Sequence, residues 1–198
     1  MRVAVAVSGR GSNLEALFTR LGNGDEAQVV LVLSDRSDAP GLDRARERGV
    51  AALALEDWRS ADEWLAALGA QSVDLLVLAG FLKLVPPGVI ARYRGRIINV
   101  HPALLPAFGG KGMYGIRVHE AVLQSGAAES GCTVHLVEEE YDRGMILAQA
   151  RVPVLPGDTA AMLAARVLEQ EHKLLPAVVL AAARAGLPVA LESSPVSH

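Results

Sequence analysis

Short runs of apolar residues alternate along the first half of the chain with segments in which apolar residues recur every three or four positions. The runs are apolar at successive positions, which is typical of strands buried on both faces of a parallel sheet. This alternation predicts an α/β fold with an open, mostly parallel, Rossmann-like sheet and helices on both faces. The predicted strands are 3–7, 29–33, 50–55, 75–78 and 97–100, and the predicted helices are 14–21, 42–48 and 61–68, with Gly49 and Gly69 ending the last two helices.

The pattern changes after residue 100, where a stretch rich in proline and glycine covers 102–115. A helix is predicted at 118–124, and strands at 132–137 and 146–154 form a hairpin through the turn sequence Asp142-Arg143-Gly144. Residues 160–185 predict a long helix, kinked or broken at Pro176 and closed by Gly186. A last short strand is predicted at 187–191. We expect one domain over 1–191 and a flexible tail over 192–198.

The composition is that of an ordinary globular protein, because 51% of the 198 residues are hydrophobic and 21% are charged. The formal net charge is −3 and no basic run occurs, so we expect no nucleic acid partner. The apolar run at 3–7 is too short for a signal peptide, and no uncharged apolar stretch approaches about 18 residues. We therefore expect a cytoplasmic protein with no membrane partner. The single cysteine, Cys132, excludes an internal disulfide and is expected to pack in the core.

The first candidate for chemistry is the segment Ser8-Gly9-Arg10-Gly11-Ser12-Asn13, which lies where the first strand turns into the first helix. Backbone N–H groups at a helix start bind anions, and glycine lets a phosphate approach closely. Leu14 stands where a dinucleotide-binding motif has its third glycine, so a single phosphate fits better than NAD. The alternative is a tight turn in which Ser12 or Asn13 caps the helix.

The second candidate combines Asn99 and His101, at the end of the fifth strand, with Asp142 in the hairpin turn. Open parallel sheets bind ligands beyond the carboxyl ends of their strands, and alternation places Asn99 and His101 on one side. An amide and an imidazolium can stabilise a developing oxyanion. If the hairpin folds over the sheet edge, Asp142 pairs with His101 and favours its charged form. The alternative is that His101 is a structural histidine.

Other ionisable residues receive less specific predictions. The carboxylates of Glu138 to Glu140 are expected to be solvated. His135 either lines the site or packs in the core, and packing is favoured slightly. His119 and His198 are expected to face solvent, and Glu171-His172 to mark a wet face of the long helix.

Five motifs that occur in order between residues 3 and 185 resemble the phosphoribosylglycinamide formyltransferase family, folate-dependent enzymes of purine synthesis. The motifs are Ser8-Gly9-x-Gly11-Ser12-Asn13-Leu14, Ala79-Gly80-Phe81-Leu82, Asn99-Val100-His101-Pro102-Ala103-Leu104-Leu105-Pro106, Thr133-Val134-His135 and Asp142-x-Gly144.

The resemblance implies transfer of the formyl group of 10-formyltetrahydrofolate to the amine of glycinamide ribonucleotide, by direct amine attack through a tetrahedral intermediate. It makes Asn99 and His101 the oxyanion stabilisers, while Asp142 holds His101 charged and relays the amine proton. No metal is implied, and the partners are these two small molecules, with the protein a monomer or homodimer. The residues implied to bind the nucleotide are Gly11, Ser12 and Asn13 for the phosphate and Glu171 for the ribose. The residues implied to bind the folate are Leu82, Lys83, Leu84 and Val85, together with Val137, Glu138 and Glu139 of the 137–142 loop.

Two features depart from the family pattern. Ala103 stands where relatives often have serine, which removes a hydroxyl but none of the three proposed catalytic groups. The segment 109–115 is longer and richer in glycine than in many relatives. We hypothesise that it is a mobile cover over the nucleotide with Lys111 near the phosphate; the alternative is a surface insertion with no role.

Other functions within and outside this superfamily make different demands on the sequence. An enzyme that formylates methionyl-tRNA is expected to carry an additional basic C-terminal domain. A formyl-folate hydrolase is expected to carry an N-terminal regulatory domain. A third alternative is an enzyme that formylates an amino sugar. A nucleotide-binding module without catalysis would need none of Asn99, His101 and Asp142. We therefore expect the formyltransferase acting on glycinamide ribonucleotide.

Overall fold

A computed structural model describes residues 1–22, 24 and 26–191 of the chain. Strands and helices alternate as far as the fifth strand, and a helix, a hairpin and a long helix follow. The elements are β1 (Arg2–Val7), α1 (Ser12–Leu21), β2 (Gln28–Ser34), α2 (Pro40–Glu47), β3 (Ala51–Ala54), α3 (Ala61–Ala70), β4 (Leu75–Leu78), α4 (Pro87–Arg92), β5 (Ile97–His101), α5 (Ile116–Ser125), β6 (Glu129–Leu136), β7 (Ile146–Pro153) and α6 (Ala160–Ala185).

The strands form one sheet of seven in the order β3-β2-β1-β4-β5-β6-β7. Strands β1 to β5 run parallel, whereas β6 is antiparallel to β5 and β7 is antiparallel to β6. This confirms the predicted open, mostly parallel sheet followed by a hairpin and a long helix. The strand order reverses beside β1, and such a switch point opens a crevice at the carboxyl ends of the strands.

The core lies on both faces of the sheet. On one face, Val3, Val5 and Val7 of β1 pack with side chains of α1, α2 and α6. On the other face, Ala4 and Ala6 of the same strand pack with side chains of α3 and α4. One strand therefore faces apolar neighbours at every position, which explains its unbroken apolar run.

A third, smaller cluster joins α5 and α6 to the hairpin and contains Cys132. The cysteine is fully buried, and burial raises the pKa of its thiol to about 12. This confirms the prediction that Cys132 packs in the core.

Several local predictions differ from the structure. The predicted strand at 187–191 is wrong, because this segment pairs with the sheet only through the Leu191 N–H, which donates to the Leu147 carbonyl at 2.8 Å. Pro176 does not divide the long helix, since its neighbours are held in the core. Gly69 lies inside α3 and does not end it. Helix α4 was not predicted; it begins at Pro87, and proline fits a first helical turn.

Within residues 1–22, 24 and 26–191, no helix combines the length and the apolar character that crossing a membrane requires. The predicted flexible tail at 192–198 lies outside the described residues, and the division into one domain and a tail stays a prediction.

Candidate active site

The segment 8–13 follows β1 at the carboxyl edge of the sheet and is hydrogen-bonded to the loop after β4. The Ser8 N–H donates to the Gly80 carbonyl at 3.0 Å, and the Ser8 hydroxyl accepts from the Leu82 N–H at 3.0 Å. Two of the motifs separated by about seventy residues in sequence therefore share one edge of the crevice.

Helix α1 begins without a side-chain cap. Its N-cap residue is Gly11, in the left-handed region with φ of 72°, and no side chain bonds to the first turn. The alternative in which Ser12 or Asn13 caps the helix is therefore wrong. A Cβ on residue 11 would lie 3.1 Å from the Gly41 Cα, so both the conformation and the packing favour glycine here. The uncapped N–H groups of the first turn suit an anion.

A buried polar pair lies beside this helix start. The Asn13 Nδ2 donates to the Glu171 Oε2 at 2.6 Å, and both side chains are more than nine-tenths buried. The expectation that Glu171 marks a wet helix face is therefore wrong. Burial raises the pKa of Glu171, and the hydrogen bond from Asn13 lowers it by less. Within the described residues, the buried Asn13 Oδ1 and His172 Nε2 have no hydrogen-bond partner.

Asn99, His101 and Asp142 come together through an additional histidine. Asn99 lies directly opposite His135 across the β5–β6 ladder, with the Asn99 Nδ2 3.1 Å from the His135 Nε2. The His135 Nε2 is 3.4 Å from the Asp142 Oδ1, and the His101 Nδ1 is 3.6 Å from the Asp142 Oδ2. The predicted pairing of Asp142 with His101 is confirmed. The slight preference for His135 as a packing residue is wrong, because its ring contacts two proposed catalytic groups.

The hairpin turn places Asp142 through a strained and tightly packed backbone. Asp142 itself has a positive φ of 55°. A Cβ on residue 144 would clash with the Leu136 carbonyl oxygen. Only glycine therefore lets the chain pass this close to the end of β6. The turn therefore delivers the Asp142 carboxylate back over the end of β5.

The segment from Phe108 to Gly110 contacts both His101 and Asp142. The Phe108 carbonyl oxygen is 2.8 Å from the His101 Nε2, and the Gly110 N–H donates to the Asp142 Oδ2 at 2.8 Å. The start of the Gly-rich segment 109–115 therefore supports the His101–Asp142 pair. Lys111 is exposed, and the hypothesis of a cover over the nucleotide stays a prediction.

Burial and charge oppose one another at this pair. Burial lowers the pKa of His101, and the opposing effects of Asp142 and the Phe108 carbonyl do not restore it. The role of Asp142 in favouring the charged form of His101 stays a prediction. Burial raises the pKa of Asp142, but the neighbouring His135 and His101 rings and the Gly110 N–H together bring it below its usual value. The carboxylate is thus held ionised.

A pocket opens beside Asn99, His135 and Asp142. Its wall includes five of the seven residues expected to bind folate, and Leu82 and Glu139 are not among them. Both of these side chains are exposed, and Leu82 contributes its backbone N–H to the Ser8 contact. The five are Lys83, Leu84, Val85, Val137 and Glu138. The wall also contains Phe81 of the 79–82 motif, Glu140 and Tyr141 of the 137–142 loop, and Leu78, which the sequence did not single out.

Two further predictions concern ionisable residues. The carboxylates of Glu138 to Glu140 are exposed, as predicted. The prediction that His119 faces solvent is wrong, since only 4% of the residue is exposed. Burial lowers the pKa of His119. In the part of the chain that the structure describes, no three His, Cys, Asp or Glu side chains form a group able to hold a metal ion.

Comparison with known proteins agrees with this arrangement. The profile of the family described as formyl transferase matches residues 1–179. The chloroplastic phosphoribosylglycinamide formyltransferase of Arabidopsis thaliana is 46% identical over 90% of this chain and 64% of its own length. The phosphoribosylglycinamide formyltransferase of Escherichia coli is 37% identical over 90% of this chain and 85% of its own length. The chain thus spans less than two thirds of the plant relative and most of the bacterial one.

Solved structures show the same similarity. The phosphoribosylglycinamide formyltransferase of Brucella melitensis superposes with a TM-score of 0.83 at 44% identity, covering 96% of this chain and 98% of that one. Glycinamide ribonucleotide transformylase 1 of Symbiobacterium toebii gives a TM-score of 0.84 at 40% identity, covering 93% of this chain and 88% of that one. This chain belongs to the formyl transferase family.

Proposed function

We propose that this protein transfers the formyl group of 10-formyltetrahydrofolate to the primary amine of glycinamide ribonucleotide in purine biosynthesis. Two small molecules are its proposed partners, with no nucleic acid, membrane or metal. We also propose that it acts in the cytoplasm, as a monomer or homodimer.

One observation carries the proposal. Asn99, His135, Asp142 and His101 form a continuous chain of polar contacts between 3.1 and 3.6 Å, and three of these residues line the pocket. Donors beside an ionised carboxylate are what acyl transfer to an amine requires, since negative charge develops on the formyl oxygen while the attacking amine loses a proton. The relatives named above carry the same activity in their names.

The three proposed catalytic residues perform two tasks. Asn99 and His101 donate hydrogen bonds to the oxygen of the tetrahedral intermediate, and His101 needs its charged form for the stronger donation. Asp142 accepts the proton that the amine loses when the new C–N bond forms. The proton is then delivered to the folate nitrogen as its bond to the formyl carbon breaks, so that the carboxylate is regenerated.

The nucleotide and the folate occupy separate parts of the crevice in this proposal. The uncapped N–H groups of Gly11, Ser12 and Asn13 hold the phosphate, and the buried Glu171 carboxylate accepts hydrogen bonds from ribose hydroxyls. On the other side, the apolar walls at Val85 and Val137 hold the pterin, together with the proposed ligands Leu82, Lys83, Leu84, Glu138 and Glu139.

The test is the absorbance change on deformylation of a 10-formyl-folate by the purified protein, with and without glycinamide ribonucleotide. Release that requires the nucleotide supports the proposal. Release in its absence indicates a formyl-folate hydrolase. No release by the folded protein under either condition contradicts the proposal and indicates another amine acceptor or a nucleotide-binding module.

A further inference from the structure

His135 occupies a position from which it can control a neighbouring amide. It is the cross-strand partner of Asn99, and only 2% of it is exposed. Both residues line the pocket, so a change in the orientation of either alters the groups presented to a bound molecule.

The backbone fixes the tautomer of this histidine. The His135 Nδ1 lies 2.7 Å from the Leu136 carbonyl oxygen. A carbonyl oxygen only accepts, so the Nδ1 carries the proton and donates it. In the neutral ring, the Nε2 then has a lone pair and no proton.

The acceptor at Nε2 in turn selects one of the two orientations of the Asn99 amide. The Asn99 Nδ2 lies 3.1 Å from the His135 Nε2 and donates to it. If the amide were flipped, its carbonyl oxygen would face the same lone pair, and two acceptors would repel one another. The Asp142 Oδ1 lies 3.4 Å from this Nε2, beyond the usual length of an N–H···O hydrogen bond, so Asn99 is the closer partner of this nitrogen.

We propose that His135 is a positioning residue that holds the Asn99 amide with its nitrogen on the pocket side of the site. One N–H of the Asn99 amide donates to His135, and the second is available to donate to the oxyanion. This inference rests on the proposed function, because Asn99 matters as a donor only if an oxyanion forms. Without His135, the amide is free to present its carbonyl oxygen to that charge, which opposes catalysis.

Two substitutions at residue 135 separate orientation from packing. His135→Leu keeps the volume but removes the acceptor, and we expect kcat to fall about ten- to a hundred-fold, less than for complete loss of an oxyanion donor. The KM for both substrates should stay within about three-fold, because the lost interaction belongs to the transition state. His135→Gln places a carbonyl oxygen near the position of Nε2 and should restore most of kcat. Val134→Ala is the matched control, since its side chain packs in the core on the other face of β6 and should leave kcat unchanged.

A double-mutant cycle tests whether His135 acts through Asn99. In the Asn99→Ala background, His135→Leu should cause no further loss of kcat, since there is no amide left to orient. A full additional loss in that background, or a wild-type kcat in the His135→Leu protein, would overturn the inference. Such results leave the proposed function standing, because wild-type transfer to glycinamide ribonucleotide is measured beforehand in the same assay.

The tautomer is tested independently of activity and of the folding of any variant. Nitrogen-15 NMR of the wild-type histidine rings distinguishes a protonated from an unprotonated Nε2. A neutral His135 ring protonated at Nδ1 supports the inference. A neutral ring protonated at Nε2 overturns it even if the wild-type protein transfers no formyl group.

Discussion

Glutamine in place of Glu171 removes a buried charge while keeping the side-chain length. The carboxylate is 7% exposed and accepts one hydrogen bond, from the Asn13 Nδ2 at 2.6 Å. Glutamine has an oxygen that accepts the same bond, and its new N–H group has a ready acceptor in the Asn13 Oδ1, which lacks a partner within the described residues. The two amides can therefore pair without leaving a buried polar atom unsatisfied.

The sign of the effect on stability follows from the pKa of Glu171, which burial raises above its ordinary value. A carboxyl group with a raised pKa in the folded state favours folding most when protonated, so the wild-type protein loses stability as pH rises through the interval between the unfolded and folded pKa values. Glu171→Gln has no proton to lose. We expect it to be more stable than wild type above that interval, by on the order of 1–3 kcal/mol, which for a chain of this size raises Tm by roughly 2–10 °C.

The measurement is urea unfolding of both proteins at about pH 5 and about pH 8, with Glu169→Gln as the control on the exposed face of the same helix. The advantage of Glu171→Gln should grow with pH, and Glu169→Gln should show no such trend. An advantage that stays constant or shrinks as pH rises refutes the reasoning, because the charged carboxylate would then be stabilising in the folded protein.

The same substitution should weaken nucleotide binding. A carboxylate accepts hydrogen bonds from two hydroxyls more strongly than an amide does, so we expect the Kd for glycinamide ribonucleotide to rise about ten- to a hundred-fold by calorimetry. A more stable protein that binds its nucleotide less well would identify Glu171 as a charge retained for function.

Three further substitutions address the catalytic groups. Asp142→Asn removes the proton acceptor, and kcat should fall about 10²–10⁴-fold in single-turnover transfer; a loss of nucleotide affinity alone would contradict this role. His101→Ala should abolish turnover and leave nucleotide affinity within about three-fold by calorimetry, whereas unchanged turnover would remove His101 from the mechanism. Gly109→Ala places a Cβ 2.5 Å from the Leu105 Cδ2 and 3.1 Å from the Asp142 Cβ, so kcat should fall about ten-fold as the carboxylate is displaced. Gly69→Ala, with open space around its Cβ, is the control for that variant, and equal activity of the two would refute the steric argument.

The elements that depend on local pattern could be predicted from the sequence. Each parallel strand is buried on both faces, so its apolar run is continuous and visible, as at Leu75–Leu78, where the predicted and observed bounds coincide. The strand at 187–191 could not be judged in this way, because an apolar segment forms a strand only where a neighbouring edge offers a full ladder. Among the described residues, its bond to the sheet runs from the Leu191 N–H to the Leu147 carbonyl.

The histidines show the limit of reading single residues. A histidine in the sequence does not indicate whether its side chain is buried. The burial of His119 and His135 depends on the elements that pack against their helix and strand. For His135, the missing information was the register of two antiparallel strands, which sets it opposite Asn99. That register joins β6 to β5, which is separated from it along the chain by α5, so no local turn sequence reveals it.

The contact between Asp142 and His101 illustrates how a long-range prediction succeeds for an incomplete reason. The sequence placed a carboxylate in a turn and a histidine at a strand end, and folding the hairpin over the sheet edge was enough to bring them within 3.6 Å. It did not show that backbone groups of Phe108 and Gly110 would contact the same two side chains. The Phe108 carbonyl contacts His101 and the Gly110 N–H contacts Asp142. The position of the catalytic pair therefore depends on both the hairpin turn and the segment after β5. A variant that loosens either support should therefore lower kcat without changing any catalytic side chain.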